Sequence, residues 1–264
     1  MKIHYYDKIG QYGNKLFPTI IAKLISYKLN FKIDEPSNKL VVFKPSNQIN
    51  NDDELNTVKI TGKHFFAIME NEWNPKINLI LIRGYYQKEK YFLPYRDLIK
   101  NQILDLPTFT KNTKDIVLHI RLDGFNHEGY NSHILPPEYY LDILNTETFE
   151  NLYIVMATTT GKIRKHQKNK DRYISLFDKW NPKIVSNDEY TDFNFLRSFN
   201  KIISSNSTFS WWSAFLSEAE LIYLPKYFEG SQNELNKIGN ISKTIDHNCF
   251  FDIETFKHVN ITYN

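Results

Sequence analysis

A polar block between two apolar runs, residues 204–212 (SSNSTFSWW), constrains the fold of this chain more than any other segment. Residues 199–203 before it have the pattern of a short buried strand. After it, apolar residues recur at helical spacing from Trp212 to Ala219, and residues 221–224, closed by Pro225, predict a second strand. The block therefore lies in a strand-to-helix turn. The unpaired N–H groups and partial positive charge of such a turn suit a diphosphate at the carboxyl end of a parallel sheet.

Strand-then-helix patterns recur along the chain, which predicts an α/β fold. Residues 2–6 predict a first strand, a glycine turn follows at residues 10–13, and Asn14 is expected to cap a helix. Residues 77–83 and 152–157 predict further buried strands.

The apolar pattern is interrupted at residues 108–115, where we expect a hinge. The chain is long enough for two small domains. We therefore predict an N-terminal half, residues 1–110, and a C-terminal half, residues 111–264.

Charge balance and cysteine content exclude several classes of protein. The 33 basic and 30 acidic residues give a net charge of +3, which does not favour a nucleic-acid binder. The lone Cys249 forms no internal disulfide, and neither it nor His247 has partners at metal-ligand spacing, so no metal site is expected. The chain has neither a signal-peptide core nor an apolar run of about 18 residues, so a cytoplasmic protein is expected.

A second polar cluster ends the predicted strand in residues 115–124 (DIVLHIRLDG). Strand periodicity places His119, Arg121 and Asp123 on one face, opposite a face that includes Leu122. Polar groups at a strand end are costly to bury without a purpose, and a guanidinium binds phosphate through charge-assisted hydrogen bonds. A structural Arg–Asp pair is the alternative interpretation.

Four stretches resemble glycosyltransferase family 11, the α-1,2-fucosyltransferases, and they occur in the family's order. Residues 206–216 (NSTFSWWSAFL) closely resemble its C-terminal motif. Residues 10–17 (GQYGNKLF), 84–92 (GYYQKEKYF) and 119–124 (HIRLDG) resemble its glycine loop, its aromatic segment and its His-x-Arg-Arg-Gly-Asp motif. Together the four span most of the chain.

The resemblance implies a GT-B architecture, in which two Rossmann-like halves face each other across a cleft. It also implies an inverting, metal-independent transfer of L-fucose from GDP-β-L-fucose to a glycan hydroxyl, with an α-1,2 linkage favoured. The N-terminal half would bind the glycan acceptor and the C-terminal half the nucleotide sugar, and no further cofactor is expected.

The motifs also indicate the site residues. The candidate catalytic residues are Arg121, Asp123 and Asn14. The candidate donor-binding residues are His119, Arg121, Asn206, Ser207, Thr208, Phe209, Ser210, Gly13 and Thr158. The candidate acceptor-binding residues are Tyr12, Tyr85 and Tyr86, whose rings can stack on a sugar.

Two departures from the family keep alternatives open. Leu122 stands at the motif's second arginine, and only hydroxyls follow Ala157, where related enzymes carry an acidic residue. A related transferase using another nucleotide sugar, or a catalytically silent glycan- or nucleotide-binding protein, would also fit. A basic run from Lys162 to Arg172 predicts a solvated helix face, with contact to an anionic glycan or a membrane surface as its second interpretation.

Overall fold

A computed structural model describes residues 2–5, 12–33, 38–44, 57–60, 62–71, 79–82, 86, 89–122, 134–157, 167–226 and 256–260. The chain forms two compact units, Met1–Pro107 and Thr108–Asn264. Each unit contains a parallel sheet, so the fold is mixed α/β and compatible with a Rossmann-like arrangement. Among the described residues, no helix has both the length and the apolar character needed to cross a bilayer.

The first unit is built on a parallel sheet with the strand order β2-β1-β5-β4, beside a small antiparallel pair, β3 with β6. The described strands are β1 (Lys2–Tyr5), β2 (Lys32–Ile33), β3 (Val42–Phe43), β4 (Thr57–Ile60), β5 (Leu79–Ile82) and β6 (Leu104–Asp105). The described helices are α1 (Tyr12–Leu29), α2 (Gly62–Met69) and α3 (Arg96–Leu98), with single turns at Glu89–Tyr91, Leu93–Tyr95 and Ile99–Ile103.

Helix α1 begins earlier than the sequence predicts. It starts at Tyr12, so Asn14 lies within its first turn and is not the N-cap that was expected. Tertiary contacts hold this first turn, because Gly13 is buried and Asn38 Nδ2 donates to the Tyr12 carbonyl at 3.1 Å. A capping preference inferred from sequence is local and takes no account of such contacts.

The second unit is built on a parallel sheet with the strand order β12-β11-β10-β7-β8-β9. The described strands are β7 (Asn112–His119), β8 (Leu152–Val155), β9 (Lys183–Val185), β10 (Phe199–Ile203), β11 (Leu221–Lys226) and β12 (Phe256–Asn260). The described helices are α4 (Pro137–Thr146), α5 (Gln167–Ser175), α6 (Glu189–Arg197) and α7 (Thr208–Phe215), with a 3₁₀ turn at Asp178–Trp180. In chain order the sheet reads 3-2-1-4-5-6, the order of a dinucleotide-binding Rossmann sheet.

Strand β7 alternates as its sequence predicts. Ile116, Leu118, Ile120 and Leu122 lie in one hydrophobic cluster beneath helix α4. The polar residue His119 lies on the other face of the strand. The prediction of an apolar face opposite a polar one is confirmed for residues 118–122, whereas Val117, on the same face as His119, is apolar and fully buried.

Three local expectations are corrected. Residues 112–115 of the expected hinge already belong to strand β7. Strand β11 continues through Pro225 and does not end before it. The ladder with β10 ends at Tyr223, so the missing N–H of Pro225 breaks no bond toward that neighbour. Lys170, expected on a solvated face, is only 1% exposed, because it lies one turn before the buried Tyr173 on the inward side of α5.

Candidate functional site

The two polar segments that the sequence nominates for the donor meet at one edge of the second sheet. Strand β7 ends at His119 and strand β10 ends at Ile203, and the parallel ladder pairs Ile203 with Leu118. Strand β8, which follows β7 in the chain, lies beside β7 on the side away from β10. Strand β11, which follows β10, lies beside β10 on the side away from β7. The point between β7 and β10 is therefore the topological switch point, outside which open α/β sheets bind ligands.

A short hydrogen bond joins these segments. His119 Nδ1 lies 2.6 Å from Ser205 Oγ, and the His119 side chain is 9% exposed. The Phe209 ring packs against the imidazole with centroids 5.3 Å apart. The imidazole is thus held by a hydroxyl at one nitrogen and by an aromatic ring on one face.

A network of buried serines underlies the turn. Ser204 Oγ donates to Ser210 Oγ at 2.8 Å, and Ser210 Oγ lies 3.1 Å from the Ser207 carbonyl and 3.2 Å from the Ser205 carbonyl. Ser210 is fully buried. The Ser210 side chain, nominated for donor binding, therefore braces the turn from within.

Helix α7 presents its N-terminus beside this network. Ser207 is the N-cap, and its Oγ accepts from the Phe209 N–H at 3.3 Å. Asn206, Ser207, Thr208 and Phe209 are all half-buried. The first-turn N–H groups and the helix dipole make this terminus suitable for an anion.

Aromatic packing anchors the same helix in the core. The Trp211 and Phe215 rings stack with centroids 5.0 Å apart, and Trp212 is fully buried. The tryptophans of the polar block are therefore structural, and the hydroxyls of its first half remain the groups suited to a ligand.

Two tyrosines of helix α4 donate hydrogen bonds to the backbone at the ends of β10 and β7. Tyr139 Oη donates to the Ser204 carbonyl at 3.0 Å, and Tyr140 Oη donates to the His119 carbonyl at 3.1 Å. Burial raises the pKa of both phenols above its ordinary value, so they stay protonated and remain donors. This role could not be predicted from the sequence, because it depends on two strand ends that are far from α4 along the chain.

Arg121 lies two residues beyond the end of β7 and is half-buried. Its neighbour Leu122 is 4% exposed and belongs to the core cluster. Asp123 and Thr158, nominated for catalysis and donor binding, lie outside the described residues.

The nominated residues of the first unit lie in two places. Tyr12, Gly13 and Asn14 form the first turn of α1, where the Lys39 ammonium lies 5.1 Å from the centroid of the Tyr12 ring. Tyr85 lies outside the described residues.

Tyr86 has a structural environment. It is 7% exposed, has a φ of 49°, and donates from its phenol to the Ile60 carbonyl at 2.8 Å. Burial raises the pKa of its phenol, with a further contribution from Tyr91, so the hydroxyl remains a donor. The ring and the hydroxyl of Tyr86 are therefore part of the core of the first unit.

Within the described part of the chain, no group of three His, Cys, Asp or Glu side chains is placed to hold a metal ion. His247 and Cys249 lie outside that part.

No family model matches the chain. The chain is 30% identical over 153 residues to an alpha-1,2-colitosyltransferase of Escherichia coli, in an alignment that covers 52% of this chain and 51% of that protein. The chain thus spans about half the length of this relative. The similarity supports a relationship to a glycosyltransferase.

Proposed function

We propose that this protein is an inverting, metal-independent glycosyltransferase that moves L-fucose from GDP-fucose to a glycan hydroxyl, with an α-1,2 linkage favoured. The observation that carries the proposal is the hydrogen bond between His119 and Ser205. It joins the two segments nominated for the diphosphate, at the switch point of a Rossmann-ordered sheet. The similarity to a glycosyltransferase supports the reaction class.

In this proposal the second unit binds the nucleotide sugar. The diphosphate lies outside the ends of β7 and β10, where the N-terminus of α7 offers N–H groups and a partial positive charge. Arg121 offers a guanidinium that can bind two phosphate oxygens at once. Both stabilise the negative charge that grows on the leaving group in the transition state.

The reaction forms one bond and breaks another at the anomeric carbon. The acceptor hydroxyl oxygen bonds to that carbon from the face opposite the diphosphate, which gives the inverted, α-linked product. The bond from the anomeric carbon to the phosphate oxygen breaks, and its electron pair leaves with GDP. The hydroxyl proton passes to a base or to water late in the displacement. Asp123, His127 and Glu128, all near the arginine motif, are the candidate bases. An amide such as Asn14 can orient groups but takes up no proton.

The first unit is proposed to bind the acceptor, in a GT-B arrangement of two Rossmann-like halves. Tyr12 and Asn14 in the first turn of α1, and Tyr85 beyond β5, are the nominated contacts. Tyr86 would support this surface through its bond to Ile60 and would not touch the glycan.

A second donor is favoured by one observation, the name of the similar protein as an alpha-1,2-colitosyltransferase. A chain similar to a colitosyltransferase could transfer colitose, or another sugar, with the same leaving-group chemistry. Leu122 stands at the position of the second arginine of the family motif, and the lack of that guanidinium also favours a different donor.

Calorimetric titration of the purified protein with GDP, UDP, ADP and CDP tests the nucleotide. Selective binding of GDP supports a GDP-sugar donor, and turnover of GDP-fucose against a panel of nucleotide sugars then identifies the sugar. Preference for another nucleotide would refute the fucose assignment and leave the transferase class. If none of the four binds, the proposed donor site is wrong.

Arg121→Ala tests the diphosphate contact. Removing one donor to the developing charge should lower kcat/KM for transfer by about 100- to 1,000-fold. The matched control is Arg172→Ala, which removes an exposed arginine from helix α5 and should leave transfer unchanged. Turnover near that of the wild type in Arg121→Ala, with both variants folded by circular dichroism, would rule out the contact.

A further inference from the structure

We infer that Ser205 is a positioning residue that keeps the proton of the neutral His119 imidazole on Nε2, so that His119 offers an N–H to the donor diphosphate. The inference rests on the function proposed above and adds a residue that the sequence motifs do not nominate. Its basis is the geometry of the hydroxyl network around His119 Nδ1.

The hydroxyl hydrogen of Ser205 has two acceptors to choose from among the described side chains. His119 Nδ1 lies at 2.6 Å and Ser210 Oγ at 3.4 Å. Hydrogen bonds of hydroxyl groups weaken beyond about 3.0 Å, so the nitrogen is much the better acceptor. The Ser205 hydrogen therefore points to His119.

Ser210 does not supply a competing hydrogen to Ser205. Its single hydroxyl hydrogen has the Ser207 and Ser205 carbonyls at 3.1 and 3.2 Å, both closer than Ser205 Oγ. Ser210 Oγ in turn accepts from Ser204 Oγ at 2.8 Å. The network thus runs from Ser204 through Ser210 to backbone carbonyls, and Ser205 is left to donate to the imidazole.

A neutral imidazole carries one N–H, and its second nitrogen accepts. With Nδ1 accepting from Ser205, the proton lies on Nε2. Contacts around the ring favour a single orientation, because Phe209 packs on one face and Tyr140 holds the His119 carbonyl. The imidazole then adds a neutral donor beside the charged guanidinium of Arg121, and it does not serve as the base for the acceptor.

The tautomer can be measured without any ligand. Long-range ¹H–¹⁵N correlation spectra distinguish Nδ1–H from Nε2–H imidazoles, and His119→Gln identifies the His119 signals among the eight histidines. The wild type should show His119 as the Nε2–H form. Ser205→Ala should shift His119 toward a mixture of tautomers and weaken GDP binding about fivefold, the size expected for one net hydrogen bond.

Two further variants separate positioning from packing. Ser205→Thr keeps the hydroxyl and should restore both the tautomer and the affinity. Ser213→Ala removes another buried serine hydroxyl, which donates to the Phe193 carbonyl at 2.9 Å and does not touch His119. It should change stability without changing the His119 spectrum or GDP affinity.

An Nδ1–H tautomer in the wild type would overturn the inference, as would Ser205→Ala with an unchanged spectrum and unchanged affinity. If the wild type shows the Nε2–H form but binds no GDP, the proposed function fails and the assignment of that N–H to a diphosphate fails with it. Only the conclusion that Ser205 donates to His119 Nδ1 would then remain. The spectrum and the titration therefore report on the two claims separately.

Discussion

The carboxylate of Asp115 offers a direct test of how strand β7 is fixed in the sheet. Asp115 Oδ1 accepts from the Asn151 N–H at 3.0 Å and from Asn151 Nδ2 at 2.8 Å, and Oδ2 accepts from Asn112 Nδ2 at 2.8 Å. These bonds tie β7 to the residue that precedes β8. Each of the three bonds contributes about 1 kcal/mol net, and removing the buried charge offsets part of their loss. Asp115→Ala should therefore lower the free energy of unfolding by about 2–3 kcal/mol at neutral pH.

The same carboxylate makes this loss depend on pH. Burial alone would raise the pKa of Asp115, but the hydrogen bonds from Asn112 and Asn151 outweigh it and hold the pKa below its ordinary value of 3.8. A depressed pKa in the folded state means that the unfolded chain binds the proton more readily. The stabilisation is therefore complete above about pH 5 and is lost as the pH falls through the folded-state pKa.

Urea unfolding of the wild type and Asp115→Ala, followed by circular dichroism from about pH 7 to about pH 3, measures both effects. The difference in unfolding free energy between the wild type and Asp115→Ala should become smaller toward acid pH. Asp142→Ala, which removes an exposed carboxylate from helix α4, is the control and should change stability little. A difference for Asp115→Ala below about 0.5 kcal/mol at neutral pH, or one that does not narrow, would refute the reasoning.

The remaining predictions concern residues beside the switch point. Ser210→Ala removes the nearer of the two acceptors of Ser204 Oγ. It should cost about 1–3 kcal/mol of stability and weaken GDP binding, which thermal denaturation and calorimetry measure. Full stability with unchanged affinity would contradict its bracing role. Leu122→Arg places a guanidinium in the core cluster and should cost about 3 kcal/mol or more in urea unfolding. A stable Leu122→Arg variant that binds GDP more tightly would show instead that this position faces the ligand.

Much of the second unit can be predicted from local pattern, because burial imposes a period on the sequence. The strand at residues 199–203 has the same bounds in the structure as in the prediction. The start of α1 was predicted less well, because capping preference is local and takes no account of tertiary contacts such as the bond from Asn38 to the Tyr12 carbonyl.

The meeting of His119 with Ser205 could not be derived from periodicity. The two residues are 86 positions apart, and only the strand order, with β10 beside β7, brings them together. Ser205 was visible in the sequence only as one hydroxyl among several in the polar block. The hydroxyls of Tyr139 and Tyr140 likewise gain their role only because two strand ends lie within hydrogen-bonding reach.

The departure at Leu122 has a structural cause. The alternation of strand β7 continues beyond its last residue, so position 122 shares the buried side of Leu118 and Ile120 while Arg121 stays half-buried. A guanidinium at position 122 would have to be buried in this largely apolar cluster, which is costly. Leucine therefore fits the packing of the described core at this position. The absence of a second arginine is compatible with the diphosphate site proposed above, which uses Arg121, the His119 imidazole and the N-terminus of α7.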